Sequence, residues 1–257
     1  MVRFENKVVI VTGAGGGIGR AAALRFASEG ASIVAVDIDD VTLAETVSLI
    51  ESVGSPVQSV HADVRVSADV QAYVKVAIDI YGGVDVLFNN AGIEGVVTAL
   101  DDYPEDVFDD VIAVNVKGVY LGMRYVIPAL KARGGGAIVN SASGAGLRAT
   151  PTLLAYGASK HAVVGMTKTA GHECGRDNIR VNAICPGVID TRMMRSIEAG
   201  SVPDNPQAYI DAVSEQVPKG RYGSPDEVAA LVAFLASDEA SYVNGSTHTI
   251  DGGLQAT

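Results

Sequence analysis

Short apolar, β-branched runs alternate with helical patterns along almost the whole 257-residue chain, and this alternation narrows the fold more than any other feature. The runs are KVVIVT (7–12), SIVAVD (32–37), VQSVHA (57–62), VDVLFN (84–89), GAIVNSA (136–142), IRVNAIC (179–185) and STHTID (246–251). Several are apolar almost throughout, as expected of strands covered on both faces. Helical patterns fall between them at about 17–29, 40–53, 67–81, 104–130, 152–174 and 225–236. Strand–helix–strand units joined by right-handed crossovers predict an α/β, doubly wound parallel sheet. No repeat or linker interrupts the rhythm, so the expectation is a single dinucleotide-binding and catalytic domain over 1–257.

The turn after the first run is the most informative local motif. It reads Thr12-Gly13-Ala14-Gly15-Gly16-Gly17-Ile18-Gly19 and leads directly into a helical pattern. Glycines at Gly13, Gly16, Gly17 and Gly19 permit a tight turn and let backbone approach a pyrophosphate, and the helix start supplies free N–H groups and a positive dipole end. Asp37 ends the second run, where a carboxylate accepts hydrogen bonds from both adenosine ribose hydroxyls and repels a 2′-phosphate. Neither the glycine turn nor Ile38 offers a cation for such a phosphate, which favours NAD over NADP. Asp63 and Val64 follow the third run, where a carboxylate and a backbone N–H could meet an adenine edge. Asn90, Ala91 and Gly92 follow the fourth, where small residues admit a cofactor.

Charge and residue usage exclude other classes. There are 19 basic and 30 acidic residues, a net of −11, with no basic cluster, which opposes nucleic-acid and anionic-membrane partners. Two cysteines, Cys174 and Cys185, form neither a disulfide framework nor a metal set, and four scattered histidines lack metal-ligand spacing. With no secretory leader pattern and no run approaching the ~18 apolar residues of a membrane span, a cytoplasmic location is expected. Residues 190–218 contain no strand, carry Pro203 and Pro206, and follow the carboxyl end of a strand; the reading is a substrate lid.

One segment raises a cost. In LLAYGASKHAVVGM (153–166), Tyr156 and Lys160 stand four apart among small and apolar residues. A buried ammonium there needs compensation, whereas a lysine on a partly exposed helix could snorkel. The motifs TGAGGGIG, Asp63-Val64, NNAG, Asn115, Ser143, Tyr156-Gly-Ala-Ser-Lys160 and Pro186-Gly187 stand together in the order found in short-chain dehydrogenases/reductases of the single-domain type. The resemblance covers essentially the whole chain, including the closing IDGG (250–253).

That resemblance implies a seven-stranded Rossmann-like fold, nicotinamide-dependent hydride transfer and a homotetramer. It implies catalytic roles for Asn115, Ser143, Tyr156 and Lys160: Tyr156 exchanges the substrate proton, Ser143 binds the substrate oxygen, and Lys160 also bonds the nicotinamide ribose. Asn115 holds a water in a relay to Lys160, although a mid-helix Asn also satisfies a backbone kink. Ser141 is a competing candidate two residues before Ser143. Pro186, Gly187, Ile189 and Thr191 match the segment around the carboxamide and phosphates. A cation about 4 Å from a phenol is worth roughly 4 kcal/mol at an effective dielectric of 20, about three pKa units, with desolvation opposing it.

For the small-molecule alcohol or ketone substrate, the expected lining is Ile93, Glu94, Gly95, Gly144, Ala145, Leu147, Leu153, Met193, Met194 and Ile197, mainly apolar and suited to a compact or cyclic body. The later region is similar to dehydrogenases of alicyclic alcohols and diketones. One alternative is a 3-oxoacyl carrier-protein reductase, which normally prefers NADPH and favours a basic docking patch. The other is a dinucleotide-sensing binding protein, which would not need Ser143, Tyr156 and Lys160 together. Val119, Tyr120 and Met123 are candidates for a helix-bundle interface between subunits.

Overall fold

In the computed structural model, which describes residues 2–256, every sheet pairing is parallel and the strand order is β3-β2-β1-β4-β5-β6-β7. The strands are β1 Val8–Thr12, β2 Ser32–Asp37, β3 Val57–His61, β4 Val86–Asn89, β5 Gly136–Ser141, β6 Ile179–Pro186 and β7 Thr247–Ile250. The nine α-helices among the described residues are α1 Gly17–Ser28, α2 Asp40–Ser52, α3 Ser67–Tyr81, α4 Glu105–Ile112, α5 Val119–Ala132, α6 Leu154–Cys174, α7 Arg192–Ser201, α8 Pro206–Gln216 and α9 Pro225–Ala236.

Strand alternation divides the core into two layers. In β1, Val9 and Val11 face a layer with Phe26 of α1 and Val232 of α9, while Val8 and Ile10 face one with Tyr73 of α3, Leu130 of α5 and Val163 of α6. This period-two split is why β1 is buried at all five positions. The strand order reverses between β1 and β4, and a crevice opens there beyond the carboxyl ends of the strands.

One expectation needs correction. The pattern at 104–130 is not one helix: α4 and α5 are separated by a π-helical turn, Ala113–Gly118. Asn115 lies inside it, fully buried, with its amide bonded across to Ile93 and Ser159. A π-helical turn of this kind is a common feature near functional sites. The segment 190–218, expected to hold no strand, is built of α7 and α8. Thr191 caps α7 by accepting from Met194 N, and Asn205 caps α8 by accepting from Ala208 N, with Pro206 in the first turn.

Candidate active site

The crevice is a cleft of about 1530 Å³ that runs from the glycine turn to α7 and the C-terminal tail. At one end, Gly13 and Gly17 take left-handed φ values of 66° and 51°, which glycine adopts without strain. Gly19 does not line the cleft: a Cβ there would sit 1.9 Å from the carbonyl oxygen of Gly13, so this glycine lets the first turn of α1 close on the loop. Gly13, Gly16, Gly17 and Ile18 do line it.

Asp37 is held by backbone. Its Oδ2 accepts from Gly15 N at 2.7 Å, and its Oδ1 accepts from Ile38 N at 2.8 Å and Asp39 N at 3.1 Å. Asp37 and Ile38 both line the cleft. Arg20, one residue past the glycine turn and absent from the sequence expectations, lines the same corner. Its Nε donates to Thr46 Oγ1, and its Nη2 donates to Gly15 O, Thr42 O and Glu45.

Asp63 and Val64 form the next part of the wall. Arg65 donates to both carboxylate oxygens of Asp63 and also bridges to Asp110, so the Asp63 carboxyl stands below the usual carboxylate range. Asp63 is therefore less available to an adenine edge than its place in the sequence suggests. Asn90, Ala91 and Gly92 line the floor, where Thr12 Oγ1 accepts from Asn90 N at 2.9 Å and Ala91 N at 3.1 Å. Opposite, Pro186, Gly187, Ile189 and Thr191 complete the rim. The Thr191 methyl would lie 3.3 Å from a Cβ on Gly17, so the two rims nearly touch.

Deeper in, β5 and α6 converge. Ser143 follows β5, and its Oγ accepts from Ala145 N at 3.1 Å. Tyr156 and Lys160 lie one turn apart on α6, and all three residues line the cleft. Lys160 is 4% exposed, which settles the snorkelling alternative against it. Its Nζ donates to Ser141 O at 2.7 Å and lies 5.4 Å from the Tyr156 ring centre. Ser141 thus contributes its carbonyl to the lysine. Burial pulls Lys160 down to about 8.

Tyr156 departs from the electrostatic expectation. Burial raises its hydroxyl above the ordinary phenol value, more than hydrogen bonding with Ser143 lowers it, and the Glu94 carboxylate raises it further. Desolvation by burial is the leading influence on this hydroxyl. Asn115 stands behind the cleft: Oδ1 accepts from Ile93 N at 2.9 Å, and Nδ2 donates to Ile93 O at 2.8 Å and Ser159 Oγ at 3.0 Å. A Cβ on Gly92 would lie 3.1 Å from Asn115 Oδ1 and 3.6 Å from Lys160 Nζ, so the two groups flank that glycine.

Of the expected substrate contacts, Ile93, Gly144, Ala145, Leu153, Met193, Met194 and Ile197 line the cleft, and Leu153, Met194 and Ile197 form a buried apolar cluster beneath α7. Leu147 does not: the 3₁₀ turn Gly144–Gly146 carries it outward, leaving it 40% exposed. Glu94 and Gly95 also lie off the cleft. Val97, Tyr209, Leu254 and Gln255 line it without having been expected. They come from a loop, α8 and the tail, where no motif marks them. Val119 and Met123 are buried within the chain's own core, whereas Tyr120 is 44% exposed. Among the described residues no group of three or more His, Cys, Asp or Glu could hold a metal ion, and no helix is long and apolar enough to cross a membrane.

Comparison with known proteins matches this geometry. Residues 13–255 fit a family model described as Enoyl-(Acyl carrier protein) reductase. Levodione reductase of Leifsonia aquatica is 41% identical over 256 residues, 99% of this chain and 96% of that protein. Cyclohexanol dehydrogenase of Acinetobacter sp. (strain SE19) is 39% identical over 250 residues, 97% and 95% of the two chains. The crystal structure of a levodione reductase superposes with a TM-score of 0.97 at 40% identity, covering 99% of this chain and 100% of that one. NAD+-bound xylitol dehydrogenase superposes at 0.95 with 35% identity, covering 98% and 100%. The chain belongs to the short-chain dehydrogenase/reductase family.

Proposed function

We propose that the cleft interconverts a compact, largely apolar secondary alcohol and the corresponding ketone, with Tyr156, Lys160 and Ser143 as its catalytic residues. The enzyme is an NAD-dependent oxidoreductase acting on CH–OH groups. One observation carries the residue assignment: a buried lysine, a tyrosine and a serine line a cleft, one end of which is a carboxylate-capped glycine cradle.

The residues present fit NAD. Gly13, Gly16, Gly17 and Ile18 would face the pyrophosphate, and Asp37 would accept the adenosine ribose hydroxyls and repel a 2′-phosphate. Ile38, Asp63, Val64, Asn90, Ala91 and Gly92 would border the adenosine and the middle of the molecule, and Pro186, Gly187, Ile189 and Thr191 its nicotinamide end. When bound, NAD takes or returns the hydride of the carbinol carbon and adds a positive charge in its oxidised form.

The protein's own part is proton transfer and orientation. Ser143 donates to the substrate oxygen, and Tyr156 takes its proton during oxidation or returns one during reduction. Lys160 favours the phenolate by its charge, against the burial that now holds the phenol up. Asn115 acts as a positioning residue, fixing Ile93 and Ser159 on either side of the lysine's turn. Residues 190–218 serve as a lid whose apolar underside, with Leu153, Met193 and Met194, selects an uncharged body.

An assay of NAD and NADP against cyclic and linear secondary alcohols tests the reading. Turnover of compact cyclic alcohols with NAD is expected; strong preference for NADP and for 3-oxoacyl thioesters would overturn it. A homotetramer is proposed from the family resemblance, with Tyr120 on the exposed face of α5, and light scattering at micromolar concentration checks it.

A further inference from the structure

Residues 251–255 lie against Gly187 and Gly144. Just past β7, the Asp251 carboxylate accepts from Gly253 N and Gln255 N, each at 3.0 Å, and winds 251–255 into a turn. Gly252 and Gly253 sit against Val217 and Pro218 at the end of the lid, close enough that a Cβ on Gly252 would meet Val217 at 2.7 Å. On its other side the turn rests on Gly187, whose N–H donates to Ile250 O at 2.9 Å. The tail is therefore a built wall, and it delivers Leu254 and Gln255 to the cleft.

Four buried side-chain polar atoms lack a hydrogen-bond partner among the described residues: the hydroxyls of Tyr73, Tyr103 and Tyr222, and Nε2 of Gln255. Of these residues only Gln255 lines the cleft. Its amide nitrogen lies over Gly144, where a Cβ would come within 2.1 Å of it. Gly144 immediately follows Ser143. A buried unpaired amide is costly, and here no hydrogen bond has to break for it to turn into the cleft.

We propose that Gln255 is a substrate-binding residue whose amide donates to a second oxygen on the substrate. The preferred substrates are then compact ketones or alcohols that carry another carbonyl, ether or hydroxyl oxygen a few carbons from the reacting one. Ser143 and Gly144 are consecutive, about 3.8 Å apart at Cα, so one small molecule spans both anchors. The apolar patch of Leu153, Met194 and Ile197 takes the carbon skeleton between them. This rests on the alcohol/ketone reading above.

The test uses the full chain with NADH and two matched pairs: cyclohexanone with cyclohexane-1,4-dione, and 2-hexanone with 2,5-hexanedione. Wild type is expected to favour a dione over its monoketone by about tenfold in kcat/KM, beyond the statistical factor of two, mainly through KM. Gln255→Leu, and separately Gln255→Glu, should bring that ratio close to two. Persistence of the preference in a folded variant of either kind, or no preference in either wild-type pair, overturns the proposal. Preference in the linear pair alone removes the cyclic reading and leaves Gln255 in place. Should no ketone turn over, quenching of bound NADH fluorescence by the same four compounds reads the preference directly, and equal quenching within both pairs overturns it.

Discussion

The two ends of the cleft are built differently. The end near Asp37 is made of backbone: left-handed glycines, strand-end amides and one carboxylate held by three N–H groups. The end beneath α7 is made of side chains from segments far apart in sequence, including Leu153, Met194, Tyr209 and Gln255. Backbone geometry tolerates few residue types, so the first end is stringent. Side-chain walls tolerate many shapes, so the second is where specificity can vary.

The comparison can be broken first at the junction of the two ends. Tyr156→Phe should lower kcat by about a thousandfold while leaving NAD binding, followed by fluorescence titration, within a few-fold. Comparable loss of binding would mean that the phenol belongs to the cradle and not to the chemistry. Next in size, Asp37→Ser should reduce the preference for NAD over NADP by about a hundredfold. That change removes the repelling carboxylate and leaves Arg20 as the nearby cation. An unchanged ratio of kcat/KM values would show that Asp37 does not set the cofactor.

Stringency itself is measured by Gly19→Ala. The added methyl would collide with Gly13 O, and a loss of about 2 kcal/mol in urea unfolding is expected. Gly16, with nothing within 4 Å of its Cβ position, should lose much less stability on the same change.

The smallest effect concerns Lys160. Burial holds its folded pKa near 8, below the unfolded value of 10.5. Between those values the unfolded chain binds more protons, so this group's contribution to stability grows as pH rises from 8 to 10.5 and is flat below 8. Lys160→Met should therefore be no less stable than wild type at pH 7. The variant's advantage should shrink as pH approaches 10.5, and urea midpoints across pH 7 to 10 check the sign.

Legibility in the sequence follows the same division. β2 was readable to the residue, and α3 and α9 likewise, because period-two and 3.6-residue patterns report local burial directly. Asp37 and the glycine turn were readable because turn chemistry admits few substitutes. The π turn was not, since one inserted residue scarcely disturbs an apolar pattern. Gln255 was invisible too: only the folded tail, pinned by Asp251, brings it beside Gly144. Arg20 was hidden for a similar reason, being one helical position past the motif. Leu147 shows the converse, an apolar residue near the right place in sequence that a single 3₁₀ turn sends outward.

The wide turn at Ala113–Gly118 also sets the phase of what lies on either side of it. Each residue of an α-helix advances about 100°, so excising one residue there would merge α4 and α5 into a continuous rod and spin the first against the second by that angle. Phe108 and Val111 would then leave their present neighbours while Leu121 and Val126 kept theirs. Insertions and deletions in this stretch are accordingly far less forgivable than substitutions, and the length of the segment, more than its lettering, is what ties the floor of the cleft to the body of the sheet.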